Sequence, residues 1–222
     1  MRILVTDVTE MWAGDYCVAG WCAQSGRMVR PLPEGFNWTA RLLAQGGVAP
    51  SVEVDMQRML FRKARADYPH KTEDTCVRKG IRAAGLGRQP WFGVGAPPAA
   101  LTLAEAFENN VRCDQVRSGW ARRAHVPAGA RTRSLWAIVV PRQCLRFFEE
   151  GRKLRGLIDD GRAKFELPVS SRELKVVWRT RGLPALNLSL PRQGELHVRL
   201  GLARPLGAAG GKCHVMINGV YW

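Results

Sequence analysis

Asp159 and Asp160, followed by Glu173-Leu174-Lys175 and the apolar Val176-Val177-Trp178, fit the loose D, then E-x-K pattern with which restriction-type nucleases hold Mg²⁺ and position a water beside a lysine. The pattern asks for three residue types in a chain rich in all of them, and Asp160-Gly161 already reads as the start of a hairpin turn. The two aspartates are therefore read first as turn and surface residues, with a Mg-dependent nuclease as the alternative. Binding chemistry has more residues behind it. Residues 57–74 carry Arg58, Arg62, Lys63, Arg65, His70 and Lys71, with Phe61 and Tyr68 between them. Cations that follow a phosphate backbone and rings that stack bases are the two components of sequence-tolerant single-strand binding. The competing reading is a solvated loop whose rings tuck into the fold.

A second basic stretch, residues 112–133, holds six arginines against the single acid Asp114, with Trp120 and His125 among them. Trp120, Arg122, Arg123, Arg131 and Arg133 are its candidate contacts. Further on, Arg155 and Arg199 join them. Arg199 lies in the run HVRLGL, where Val198, Leu200 and Leu202 share one face and His197, Arg199 and Gly201 take the other, which predicts one core face and one basic face. Arg30, in Val-Arg-Pro, either faces a binding groove or pairs with Asp7 or Asp55.

Charge supports the binding reading. Residues 1–110 carry 13 Lys and Arg against 11 Asp and Glu, whereas residues 111–222 carry 21 against 8, so +13 of the net +15 lies in the second half. An excess of that size repels itself in the folded state, and a nucleic-acid backbone is the leading anion to offset it. Codon bias accounts for Arg over Lys but not for the sparse acids of one half. No phosphate-loop, G-x-S-x-G or H-E-x-x-H motif occurs, and the six cysteines include no C-x-x-C pair. His197 and His214 have no ligand set at metal spacing, since a strand points Cys213 away from His214. No cofactor, metal or catalytic residue is expected. With no uninterrupted apolar span and with Arg2, Asp7 and Glu10 breaking up the N-terminus, the expectation is a cytoplasmic protein without a membrane partner.

The elements that must hold these residues are mainly strands. Residues 2–8 (RILVTDV), 16–22 (YCVAGWC) and the run RMVRPL are apolar or β-branched, and Ser25-Gly26 marks a hairpin between the last two. Asn37 is placed to cap a helix over 38–45, which ends at Gly46-Gly47. VEVDM at 52–56 and TCVRK at 75–79 supply two more strands. Three strands, a helix and two strands is the order of an OB-fold, a small Greek-key barrel that binds single strands across its second and third strands and nearby loops. Glycines and prolines loosen residues 80–98, after which Thr102-Leu-Ala-Glu105 forms a capping box. Beyond it, 135–140 (LWAIVV), 153–159 joined to 162–167 through Asp160-Gly161, 175–179 (KVVWR), 195–202 and 213–222 predict a second set of strands. The expected organisation is mainly β: two tandem OB-like small barrels with short helices, the first over 1–80, a Gly/Pro-rich then Arg-rich connector over 81–133, and the second over 134–222.

The run ILVTDVTEMWAGDYCVAGWCAQSGRMVRPLP, then VEVDM, YPHKTED, VRLGLARPLG and HVMINGVYW, resembles the prokaryotic dual OB-containing domain family. Its most specific piece is the strand pair ending in Val29-Arg30-Pro31, with Pro69-His70 and Glu73-Asp74 next. The resemblance implies two OB-type barrels in tandem and nucleic-acid recognition, often beside mobile-element or defence systems, and it supplies no catalytic residue. At the first strand this chain departs from the family, with Thr6-Asp7-Val8 in place of a small-polar run. Together these features predict a non-catalytic DNA- or RNA-binding protein, with a larger ribonucleoprotein or DNA-processing assembly as the setting in which it could serve as a subunit. The alternatives are the nuclease above and a scaffold that docks an acidic protein.

Overall fold

The computed structural model describes residues 1–11, 14–34, 37–57, 59, 67–78, 99–116, 119–205 and 211–222, and the backbone of 82–83. Arg58, Phe61, Arg62, Lys63 and Arg65, expected as loop contacts, lie outside the described residues. The chain is mainly β and divides into two units, Met1–Ala66 with Lys71–Pro97, and Asp67–His70 with Pro98–Trp222.

In the first unit β1 (Arg2–Glu10), β2 (Tyr16–Cys22) and β3 (Arg27–Pro33) form the expected antiparallel meander. Gly26 turns the second hairpin at φ +61°, a conformation that costs glycine nothing. Next comes α1 (Ala40–Gln45), two residues shorter at its start than the sequence predicts. Its cap is Thr39, whose hydroxyl accepts from Leu42 N at 3.2 Å, while Asn37 donates to Asp15 at 2.7 Å. After it, β4 (Glu53–Asp55), β5 (Asp74–Val77) and β6 (Arg82–Ala83) complete a six-stranded sheet ordered β5-β3-β2-β1-β4-β6, with β3 and β5 parallel. Ile3, Val5, Val18, Val29, Val54 and Val77 alternate inward against Trp38 and Leu43. Among the described residues the sheet does not close into the expected barrel. Beyond β4 the chain bonds β5 and its exit at two points, Met59 N to Cys76 O and Arg78 N to Gln57 O.

The second unit starts earlier than expected. Residues 112–133 are not an irregular connector. After α2 (Leu103–Ala106), capped by Thr102, the chain forms β7 (Arg112–Gln115) and β8 (Arg122–Pro127). Ala124 and Val126 point into the core, so the segment is an ordinary half-buried strand whose outward positions happen to be arginine and histidine. Then follow β9 (Leu135–Pro141), β10 (Leu145–Glu150), β11 (Lys153–Asp159) and β12 (Lys164–Pro168). The turn between β11 and β12 is the predicted Asp-Gly turn widened to four residues. Asp160 explains the width: its Oδ1 accepts from Arg162 N and Ala163 N at 3.0 and 2.9 Å, and its Oδ2 accepts from Leu103 N at 2.9 Å, tying the turn to α2.

Residues 175–179, expected as a strand, belong to α3 (Arg172–Ser189). Five residues of KVVWR read as β by propensity, but the longer window has helical spacing: Leu174, Val177, Trp178, Leu183, Leu186 and Leu190 all pack on the core. Ser171 caps the start, and Gly182 at φ +80° with Pro184 interrupts the helix. Asn187 on α3 pairs with the edge of β10, its Oδ1 accepting from Phe147 N at 2.9 Å and its Nδ2 donating to Phe147 O at 3.0 Å. Finally β13 (Glu195–Leu202) and β14 (Lys212–Tyr221) close an eight-stranded sheet ordered β10-β11-β12-β8-β14-β13-β9, with β7 on β8. Among the described residues no helix is long and apolar enough to cross a membrane.

Candidate nucleic-acid interface

Cross-strand register determines which side chains of the second sheet meet. His125 on β8 is paired directly with His214 on β14 and with Arg112 on β7, and Asp114 is paired with Arg123. Because Ala124, Val126, Cys213 and Val215 fill the core, their neighbours Arg123, His125, Lys212 and His214 share the opposite, outer face. On β11 the same alternation turns Leu154 and Ile158 inward and Arg155 outward. Directly paired residues of antiparallel strands have Cβ atoms about 5 Å apart, so this face is a contiguous row of side chains and not a scatter.

Two acids organise it. Glu150, at the end of β10, is held by Arg123 Nη2 at 2.6 Å on one oxygen and by Arg155 Nε and Nη2 at 2.9 and 2.8 Å on the other. Partial burial works to raise its pKa, but Arg155 and Arg123 outweigh that and hold the carboxyl below its ordinary range. Asp114 receives two hydrogen bonds from Lys212 Nζ, at 2.7 and 2.8 Å, which lower its pKa, and its Oδ2 lies 3.5 Å from His125 Nδ1. The two imidazoles meet edge to face with ring centroids 6.1 Å apart. His125 is buried and His214 exposed. Burial first, and then the charges of Lys212 and of Arg112 near His125 or Arg123 and Arg155 near His214, push both pKa values below the ordinary histidine value despite Asp114. Both shifts favour the neutral form of the rings, in a field of mostly positive charge.

No protein-family model, curated protein or solved structure matches the chain.

Of the residues singled out from sequence, Arg123 and Arg155 lie on this face, while Arg122, exposed on β8, has the parity of Ala124 and lies on the opposite side. Tyr68 and Arg131 come together elsewhere in the second unit, with the guanidinium 5.9 Å from the ring centroid and the Tyr68 carbonyl accepting from Gly129 N at 2.9 Å. That geometry makes Tyr68 a cation–π partner of Arg131. Arg133 stacks on Trp136 at 4.0 Å and pairs with Glu108 at 2.8 Å. Trp120 and Lys71 are exposed.

Three expected contacts are corrected by burial. Arg30 is 5 % exposed and donates to Asp74 at 2.8 Å, a structural ion pair that encloses it in the fold. His70 is buried with Nε2 3.0 Å from Leu202 O. Arg199 is fully buried, and the face of β13 expected to be basic and open is enclosed, with His197 and Gly201 buried beside it. Of the nuclease pattern, Glu173 and Lys175 lie on α3, and Asp160 accepts from three backbone N–H groups. Among the described residues no group of three His, Cys, Asp or Glu is placed to hold a metal ion.

The His125–His214 pair was missed because 89 positions separate the two residues and each looks solitary. A signal was present in the alternation itself: both histidines are flanked by small or apolar residues that face the core, Ala124 and Val126 in one case and Cys213 and Val215 in the other.

Proposed function

We propose that this is a nucleic-acid-binding protein of the cytoplasm whose second sheet, through its outer face, follows a phosphodiester backbone. The observation that carries the reading is the row Arg112, Arg123, Arg155 and Lys212, in which two acids, Asp114 and Glu150, are shared among cations that outnumber them. Exposed ion pairs of this kind are weak, under about 1 kcal/mol each, so a phosphate exchanges easily for a carboxylate. The charge asymmetry of the chain points the same way. Membership of the dual OB-containing domain family is part of the proposal. It is supported in the first unit by the β1–β2–β3 meander, the antiparallel β1–β4 pair and the parallel β3–β5 pair, an arrangement compatible with an OB-type barrel.

The test is a titration of the full chain against single- and double-stranded DNA and RNA at two salt concentrations. Affinity for at least one polymer that falls steeply with salt is the expected outcome. Salt-indifferent binding, or no binding to any of the four, rejects the proposal.

A further inference from the structure

We infer that His125 and His214, with Lys212, form a phosphate subsite at the centre of the outer face, and that a phosphodiester occupying it draws a proton onto the imidazole pair. The inference rests on the nucleic-acid reading above and adds to it a place and a proton. Two imidazoles are directly opposed across β8 and β14 and meet edge to face with centroids 6.1 Å apart, with a lysine two residues along the same strand from His214. Arginine and lysine alone would bind phosphate without any titration near neutrality. Histidines among them change that.

The charged groups around the pair come from the adjoining strands. On β7 stand Arg112 and Asp114, on β8 Arg123, on β12 Glu166, which lies between the core residues Phe165 and Leu167, on β14 Lys212, and from β11 and β10 come Arg155 and the Glu150 it holds. In the unliganded face the cations oppose protonation of the rings. An arriving phosphate neutralises those cations and is itself an anion, so both changes favour imidazolium. Asp114 makes the state reachable: it already lies 3.5 Å from His125 Nδ1, and it is shared with Lys212, which a phosphate competes for. When Lys212 turns to the ligand, Asp114 is left to the protonated ring. One proton moves from solvent to imidazole, and no bond of the ligand is broken.

The sign follows by linkage. Free rings have lowered pKa values and occupied rings higher ones, so a proton is taken up on binding at any pH between the two. Affinity therefore rises as pH falls through the occupied value and levels off below the free one, by roughly tenfold per pH unit for each proton taken up. The measurement is the affinity of a fluorescent oligothymidylate for the full chain from about pH 8 to about pH 5.5 at fixed ionic strength, the span in which only histidine among ordinary side chains titrates.

For the wild type, affinity should rise at least several-fold across that span. His214→Gln, at an exposed position outside the packed core, should lose at least half of the logarithmic rise. His125→Gln/His214→Gln should be flat. Because His125 is buried, folding of the double variant is checked by circular dichroism, and His214→Gln decides the matter if it fails. A flat wild-type profile overturns the subsite while leaving binding intact. So does an undiminished rise in His214→Gln, which would assign the proton to another histidine. Absence of binding at every pH removes the underlying reading instead.

Discussion

The two sheets treat arginine in opposite ways. In the first, Arg30 is enclosed with Asp74, and both side chains are almost wholly removed from solvent. In the second, Arg123, with a side chain 42 % exposed, lies over a carboxylate that is itself 44 % exposed, while Arg155 on the other oxygen is intermediate at 14 %. An enclosed guanidinium depends on its partner, because the cost of leaving a charge buried and unpaired is several kcal/mol. An exposed one has water as an alternative and can change partners at little cost. Net charge alone does not distinguish the two, as Arg199 shows: it belongs to the basic half of the chain yet is fully buried. Burial decides which arginines can meet a ligand.

That contrast can be broken most forcefully at Arg30. Arg30→Ala breaks a buried ion pair and should destabilise the first unit by about 3–5 kcal/mol in chemical denaturation, with oligonucleotide affinity of the folded protein unchanged. Reduced affinity at unchanged stability would put Arg30 among the binding residues after all. Among acids the same comparison sets Asp160 against Glu150. Asp160→Ala removes an acceptor from three backbone N–H groups, and about 2 kcal/mol of stability should go with it, measured as a lower denaturation midpoint. Glu150→Ala should cost less than about 1 kcal/mol and should tighten nucleic-acid binding, because it releases two arginines.

Arg123→Ala/Arg155→Ala sharpens the comparison from the other side. It should flatten the slope of log affinity against log salt on single strands by about 1.4, near 0.7 for each phosphate no longer neutralised, with little change in stability. An unchanged slope would move the interface off this face. The smallest effect is in acid. The pKa values of Glu108, Asp114 and Glu150 are depressed in the folded chain, Glu108 because Arg133 and Thr132 outweigh its partial burial. Their contribution is complete above the ordinary carboxylate pKa of about 4 and fades as pH falls through the lower folded values. All three are solvent-exposed or nearly so, so a shallow loss of melting temperature in that range is expected, and only at low salt.

Much of the first unit was legible in the sequence, because strands 2–8 and 16–22 and the Ser25-Gly26 turn are encoded by neighbours a few residues apart. The Asp160-Gly161 turn and the Thr102 cap were legible for the same reason. What was not legible depended on a longer window or a distant partner. The five residues KVVWR pass for a strand until Leu183, Leu186 and Leu190 are counted with them. The arginines of 112–133 hide the inward alternation of Ala124 and Val126 that makes β8. As for the candidate site, Arg123 and Arg155 were identifiable as cations, but nothing local distinguished them from Arg30 or Arg199. Only pairing brings His125 to His214, and pairing is a property of the whole sheet.

Asn187 carries on its side chain the same amide that every residue carries in its backbone, one N–H group facing the C=O of Phe147 and one C=O facing its N–H. To β10 it is a single residue's worth of a neighbouring strand. An uncovered edge is a template on which another molecule of the same kind can lay down a strand, and then another. Here the template is already answered at its middle by a side chain from a helix, which cannot itself be extended sideways. At this edge the sheet thus carries its own stop signal.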